Sequence, residues 1–481
     1  MKVLFATPET APWVKTGGLG DVSAALPPAL AALGHDVAVL LPAYAGLERI
    51  AGDLAGVFSL PAEGPWPAAQ LLRLRIGGGG TTLLLLACPA LYARPGTPYG
   101  APGGGDHPDN ALRFGLLARV AALLGTAGSP IPGWQAGVVH ANDWPSALVP
   151  LYLRQAREAG DATAARSVLT IHNLAFQGVY PMEKADLLGI APRHRGVDGV
   201  EFWGQLSMLK AGLQFADAIT TVSPTYAREI QTEAQGFALD GVLRAHAARL
   251  HGVINGIDTA VWNPATDPLI AARYDAARLG GKAACKAALQ ARLKLAAEPG
   301  ALLFGLVGRL TAQKGIDLVV AGAGGLLARG GQLAVLGSGD AALQAALADL
   351  AARHPGRVGA AIGFDETLAH QIEAGADCFL MPSRFEPCGL NQMYSQAYGT
   401  PPLVAPVGGL ADTVDDGVTG FVMREAGSQS AFDEAMARVA AAWRKPGDWW
   451  RIQRAGMQRD FSWARPAADY AALYAGLAAA G

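Results

Sequence analysis

Cysteine is scarce in this chain of 481 residues: Cys88, Cys285, Cys378 and Cys388 are the whole complement. They are scattered, and none stands in C-x-x-C spacing, so neither a disulfide framework nor a zinc site is indicated. Charge is scarce as well, at 16% of residues, with a net charge of −2. That balance supplies no basic field, which speaks against a nucleic-acid partner; any anionic substrate must meet a few placed Lys and Arg side chains. Long apolar runs are also missing. The greasiest stretch, Leu83 to Ala87, falls far below the roughly 18 residues of a membrane span. The apolar start, Met1 to Ala6, is too short for a secretory leader. The expectation is a cytoplasmic protein with no membrane partner. Neither an Asp-x-Asp pair nor a His/Cys cluster with ligand spacing occurs, so no metal and no other cofactor is expected.

What the chain does have is length and hydrophobicity, with 51% hydrophobic residues. That is enough for large buried cores and for two to three domains. The apolar segments are short and continuous rather than alternating. Residues 2–7, 37–42, 137–140, 167–172 and 218–223 follow this rhythm, with Ala/Leu-rich helical stretches between them. It resumes at 301–308, 332–337, 377–382 and 402–405, after a turn-rich break near Asn255 to Asp258. Continuous strands alternating with helices predict parallel sheets covered on both faces. The fold class expected is α/β, with two doubly wound Rossmann-like domains facing a cleft. The site belongs at the carboxyl ends of the strands, in that cleft. Gly77 to Gly80, between two apolar runs, predicts a hairpin turn.

Several loops at strand ends carry chemistry. Lys15-Thr16-Gly17-Gly18-Leu19-Gly20-Asp21 lies between a strand and a helix. Glycines there let backbone N–H groups approach a phosphate, and Lys15 adds a point charge. It is neither G-x-G-x-x-G nor a Walker loop, and a plain connecting turn is an equal alternative. Gly308 to Gly315 places Arg309 and Lys314 around a helix start, as a diphosphate clamp would. Ser383 to Leu390 follows a buried strand, so the N–H groups of Cys388, Gly389 and Leu390 can face a ligand beside the Glu386 carboxylate. His140 to Trp144 and Ile171 to Leu174 end buried strands with polar tips suited to hydroxyl-rich substrate, and Trp144 could stack on a sugar. A strand-end His taken alone is more often a satisfied structural group.

Taken together, these segments resemble the bacterial glycogen synthase and plant starch synthase family. The resemblance rests on K-T-G-G-L-G-D-V at Lys15 to Val22, His140 to Trp144, T-I-H-N-L-A-F-Q-G at Thr170 to Gly178, and S-P-T-Y-A-R-E at Ser223 to Glu229. It continues in Asn255 to Asp258, Gly308 to Gly315, S-R-F-E-P-C-G-L at Ser383 to Leu390, Gly408 to Thr413 and Asp460 to Trp463. The segments run in order along essentially the whole chain. The resemblance implies a glycosyltransferase B fold. Residues 1–254 would form the acceptor and catalytic domain, residues 255–461 the nucleotide-sugar domain, and a helix within 462–481 would pack back onto the first.

It also implies transfer of glucose from ADP-glucose to the non-reducing end of an α-1,4-glucan such as glycogen, releasing ADP, with no metal. Lys15 and the N–H groups of Gly17 and Gly18 would meet the donor's phosphate side, next to Asp21. Arg309 and Lys314 would hold the diphosphate, and the turn from Glu386 through Cys388, Gly389 and Leu390 the glucose hydroxyls. His172 matches the residue beside the reacting sugar carbon. Glu9, Tyr99, Asp143, Trp144, Asn173 and Asn255 would line the glucose or acceptor side. This chain departs from the family's pattern at three places. Asn142 stands where many members have His, Asn391 where Thr or Ile is usual, and Val407 where Thr usually precedes Gly-Gly-Leu.

An α-linked donor and an α-linked product require net retention. A double displacement would need a carboxylate nucleophile; the resemblance implies front-face attack instead, the leaving phosphate taking the acceptor's proton. Two rival readings compete with this one. A pyridoxal-phosphate phosphorylase would need a Schiff-base lysine in the second domain, and none stands out. A non-catalytic glucan-binding protein would have lost Lys15, Arg309, Lys314 or Glu386, and all four are present. Nothing in the sequence sets an oligomeric state.

Overall fold

The structure of the chain, a computed structural model, describes residues 1–47, 50, 52–76 and 80–479. Met1–Asn255 together with Trp463–Gly481 form one compact unit, and Gly256–Ser462 form a second.

The first unit is built on a nine-stranded sheet. Its strands are β1 (Lys2–Ala6), β2 (Asp36–Pro42), β3 (Asp53–Leu60), β4 (Ala69–Arg75), β5 (Thr81–Ala87), β6 (Val138–Asn142) and β7 (Arg166–Ile171). Three short strands, β8 (Val179–Pro181), β9 (Glu201–Phe202) and β10 (Gln205–Ser207), form a separate small sheet. The main sheet closes with β11 (Ala218–Thr221) and β12 (Leu250–Gly252). Its order is β12-β11-β7-β6-β1-β2-β5-β4-β3. From β12 to β5 every pairing is parallel, and β4 and β3 extend the edge antiparallel. Strands β1, β2, β6, β7 and β11 are buried almost throughout, which is why they read as unbroken apolar runs. Gly77 to Gly79 of the expected hairpin turn lie outside the described residues; the strands on either side, β4 and β5, pair antiparallel.

The second unit has six parallel strands: β13 (Leu303–Leu310), β14 (Gln332–Gly339), β15 (Val358–Ile362), β16 (Cys378–Met381), β17 (Pro402–Val404) and β18 (Phe421–Val422). Their order is β15-β14-β13-β16-β17-β18. Renumbered from one, that is 3-2-1-4-5-6, the doubly wound dinucleotide-binding order. The chain reverses its direction of winding between β13 and β16. In the first unit the same reversal falls between β1 and β6. In open α/β sheets the loops leaving such strand pairs diverge, and ligands bind outside the carboxyl ends there.

Residues after Trp463 form the helix Ala464–Ala479, whose Pro466, Ala467, Tyr470 and Tyr474 are buried. The spacing is one face of a helix. His140, on β6, is fully buried and explains the attachment: its Nδ1 lies 2.7 Å from Tyr474 Oη and its Nε2 2.5 Å from Thr170 Oγ1. Its ring also lies 5.2 Å from that of Tyr470. Burial lowers the His140 pKa to about 3, so the imidazole is neutral and shares one proton across these two hydroxyl partners. The polar tip expected here to meet substrate is therefore a structural joint. Replacing Tyr474 with Phe leaves a buried ring nitrogen without its partner, and a loss of about 1–3 kcal/mol is expected for the first unit. Chemical denaturation of the variant beside the parent protein measures it.

Candidate active site

In the first unit, the segment leaving β1 is organised around Glu9. Its side chain is 3% exposed, and Oε2 accepts from Thr16 N (2.5 Å), Thr16 Oγ1 (2.9 Å) and Gly17 N (3.3 Å). Oε1 accepts from Tyr99 Oη at 3.0 Å. Burial raises the Glu9 pKa, and these donors oppose the shift. Glu9 therefore ties Tyr99 to the loop, and the Gly17 N–H is already spoken for. Gly18 opens the helix Gly18–Ala32, and its N–H has no acceptor among the described residues. That group is the one the helix terminus leaves for an anion. Lys15 pairs with Asp21 at 2.8 Å, with both side chains about one-third exposed.

At the end of β6, Asp143 has φ 58° and ψ −177°. This region is essentially reserved for glycine and costs on the order of 1–3 kcal/mol elsewhere. The strained backbone is held by its N–H donating to Thr170 O (2.9 Å) and by Oδ1 accepting from the N–H groups of His172 (3.2 Å) and Asn173 (3.4 Å). Burial pushes the Asp143 carboxyl up to about 7. These hydrogen bonds fix the β6 and β7 tips to one another. His172, at the end of β7, places Nε2 3.0 Å from Asn142 Oδ1, and burial lowers its pKa to about 3. The ring is neutral throughout the physiological range. The Asn173 side chain accepts from Ala175 N at 3.1 Å, forming a local turn.

Trp144 does not stand free for a sugar. It is 9% exposed, with Phe114 edge-on at 4.8 Å and Tyr99 and Tyr180 beyond. A Cβ on Gly178 would come within 2.5 Å of its ring, so a missing side chain makes the space it fills. The stacking expectation loses to ordinary aromatic packing. Asn255 is buried at the last position of the first unit.

In the second unit, the loops leaving β13 and β16 interlock. Gly315 has φ 70°, and a Cβ there would come within 2.2 Å of Pro382 O. Arg384 N donates to Gln313 O (2.8 Å), and the Arg384 guanidinium grips Asp317 with bonds of 2.7 and 2.6 Å. Across this junction Lys314 Nζ is ion-paired with Glu386 Oε2, which also accepts from Ser383 Oγ at 3.2 Å. Glu386 is 5% exposed. Arg309, at the end of β13, is exposed and has no ion-pair partner among the described residues. The expected clamp is thus unequal: Lys314 is committed to Glu386, and Arg309 carries the uncompensated charge.

Beyond Glu386, Cys388 is buried, and the N–H groups of Gly389 and Leu390 have no acceptor among the described residues. The first turn of the helix Gly408–Thr413 packs against this segment, Gly409 N donating to Pro387 O at 3.1 Å. Asn391 donates from Nδ2 to Val307 O at 2.9 Å, tying the helix start to β13. Val407 occupies the N-cap of the helix Gly408–Thr413 and makes no side-chain cap. Sequence reasoning missed Thr16, Ser383 and Asn142 as site members. The first two lay inside quoted motifs, and the third was visible only as a departure.

The two halves match family models separately: Starch synthase catalytic domain over residues 2–245 and Glycosyl transferases group 1 over residues 301–442. The chain is 65% identical to a glycogen synthase of Paracidovorax citrulli, over 98% of this chain and 94% of that one. It belongs to the glycogen and starch synthase family. A glycogen synthase of Aromatoleum aromaticum is 53% identical over 100% of this chain and 98% of that one. Among solved structures, the catalytic domain of starch synthase IV from Arabidopsis thaliana, bound to ADP and acarbose, superposes with a TM-score of 0.88. That chain is 31% identical, with 99% of each covered. Membership makes this protein a glycosyltransferase of the B fold, and the doubly wound sheet of each unit accords with it. No helix among the described residues is long and apolar enough to cross a membrane.

Proposed function

We propose that the protein moves glucose from ADP-glucose to the non-reducing end of an α-1,4-glucan, releasing ADP with retention at the anomeric carbon. The observation that carries this reading is the β13/β16 switch point. At the loops leaving these two strands stand an arginine with no ion-pair partner among the described residues, a lysine–glutamate pair, and two backbone N–H groups with no acceptor among the described residues. A diphosphate leaving group with a hydroxyl-rich sugar needs that combination. The family adds the nucleotide-glucose donor and the glucan acceptor.

In this reading Arg309 is the main partner for charge developing on the departing ADP. Lys314 holds Glu386 oriented toward the sugar through their ion pair, Gly389 and Leu390 N–H groups meet its hydroxyls, and His172 lies beside the reacting carbon. The phosphates also meet Lys15 and the Gly18 N–H. Glu9, Tyr99, Asp143 and Asn173 hold the loops that present these groups. Four free, buried cysteines suit a reducing compartment, and we place the activity in the cytoplasm.

Initial rates with glycogen and matched ADP-glucose and UDP-glucose, with and without EDTA, test the reading. ADP-glucose should be the faster donor, and EDTA should leave its rate essentially intact, because Lys and Arg supply the countercharge. A rate abolished by chelation and restored by Mg²⁺ or Mn²⁺ overturns the charge assignment. Equal or faster turnover of UDP-glucose overturns the donor.

A further inference from the structure

The amide of Asn142 is 1% exposed and cannot turn. Its Nδ2 faces two carbonyl oxygens, Ala6 O at 3.2 Å and His140 O at 3.3 Å, which accept its two protons. The residue's backbone is pinned as well, since Asn142 N donates to Ser146 Oγ (2.6 Å) and Ser146 Oγ donates to Asn142 O (2.8 Å). The remaining atom, Oδ1, therefore points at His172 Nε2, 3.0 Å away, and an amide oxygen can only accept. The ring nitrogen facing it must carry the proton. The other nitrogen, Nδ1, makes no hydrogen bond among the described residues, and the residue is only half-buried.

We propose that Asn142 is a positioning residue that sets the single proton of His172 on Nε2 and leaves Nδ1 as a bare acceptor for a substrate hydroxyl. This deepens the functional reading above and rests on its placement of His172 beside the sugar. A histidine in place of Asn142 could offer His172 either an N–H or a lone pair and would leave the tautomer undictated. In this chain the choice is made by two strand-end carbonyls, relayed through one amide. His172 therefore receives a hydrogen bond from an O–H and cannot donate one through Nδ1. The other titratable groups beside this ring are His140 on β6 and Asp143, whose Oδ1 accepts the His172 backbone N–H.

Two variants separate the tautomer from simple structural support. Asn142→Leu removes both the acceptor and the donors. Asn142→Asp keeps an acceptor toward Nε2 but loses the donors to Ala6 and His140. Ring-nitrogen NMR of histidine-labelled protein, with His172→Gln for assignment, reads the proton position without any turnover. The parent should show Nε2–H at His172. The leucine variant should lose that preference, and kcat should fall on the order of 10- to 100-fold, with KM for ADP-glucose changing less. The aspartate variant should keep Nε2–H and recover kcat relative to leucine at alkaline pH, where its imidazole is neutral, while sharing the loss of thermal stability. A proton on Nδ1 in the parent overturns the proposal, as do two variants alike in tautomer and turnover. Failure of the parent to use ADP-glucose would sink the functional reading alone, because the NMR result stands apart from it.

Discussion

Arg309→Ala is expected to lower kcat by about 10²–10³-fold, the range for removing one group that stabilises transition-state charge. The position argues for the large value. Arg309 is exposed at the end of β13, beside the switch point, and no carboxylate among the described residues neutralises it. Lys314 cannot stand in for it, because its ammonium is already ion-paired with Glu386. As the sugar–phosphate bond breaks, negative charge accumulates on the leaving phosphate, and a free guanidinium gains more than a paired ammonium. Arg309→Lys should recover part of the loss, since it restores charge without the planar two-pronged donor set. ADP affinity, read by calorimetry, should fall less than turnover does. A near-normal rate in the alanine variant would remove Arg309 from the mechanism.

Glu386→Gln is the second large effect, and it separates stabilisation from nucleophilic attack. The carboxylate is buried, with Lys314 Nζ and Ser383 Oγ on Oε2. Gln keeps the shape and most hydrogen bonds but removes the negative charge beside a sugar that becomes oxocarbenium-like. Only the transition state carries that positive charge, so kcat should fall on the order of 10²-fold or more while ground-state binding stays. The ion pair adds a refinement. Freed of its carboxylate, Lys314 presents a full charge to the diphosphate, and ADP should bind as tightly as before or more tightly. A hexosyl adduct on the peptide containing Glu386, trapped with a slow fluorinated donor and seen by mass spectrometry, would instead make the residue a nucleophile.

The sequence made the frame legible because its strands are buried on both faces. Runs such as Val37 to Pro42 and Leu303 to Val307 carry no alternation and can be read only as covered strands. The positions of the glycine-rich and basic loops at strand ends were legible too, since Lys15 to Asp21 follows β1 and Arg309 to Gly315 closes and follows β13. What could not be read was pairing across long separations. Glu9 is tied to Tyr99, Lys314 to Glu386, and His140 to Tyr474 across 90, 72 and 334 residues. No local spacing encodes such partners, so Glu9 looked like a sugar ligand and Lys314 like a free cation. Trp144 was misread for a related reason. An aromatic at a strand tip looks the same on paper whether it meets a sugar or Phe114, and only the packing at Gly178 decides.

The return of the last helix to the first unit orders events during synthesis. Gly256–Ser462 is contiguous, so every residue of the second unit is available before the helix Ala464–Ala479 is made. The first unit begins at Met1 yet waits for Trp463 and beyond. Until Tyr474 arrives, the His140 nitrogen that will face it stays unmatched at the centre of a nine-stranded sheet. Domains of most chains finish in the order in which they emerge. Here the domain that starts first is completed last, and the nascent protein spends the whole synthesis of its second half with an unsealed sheet.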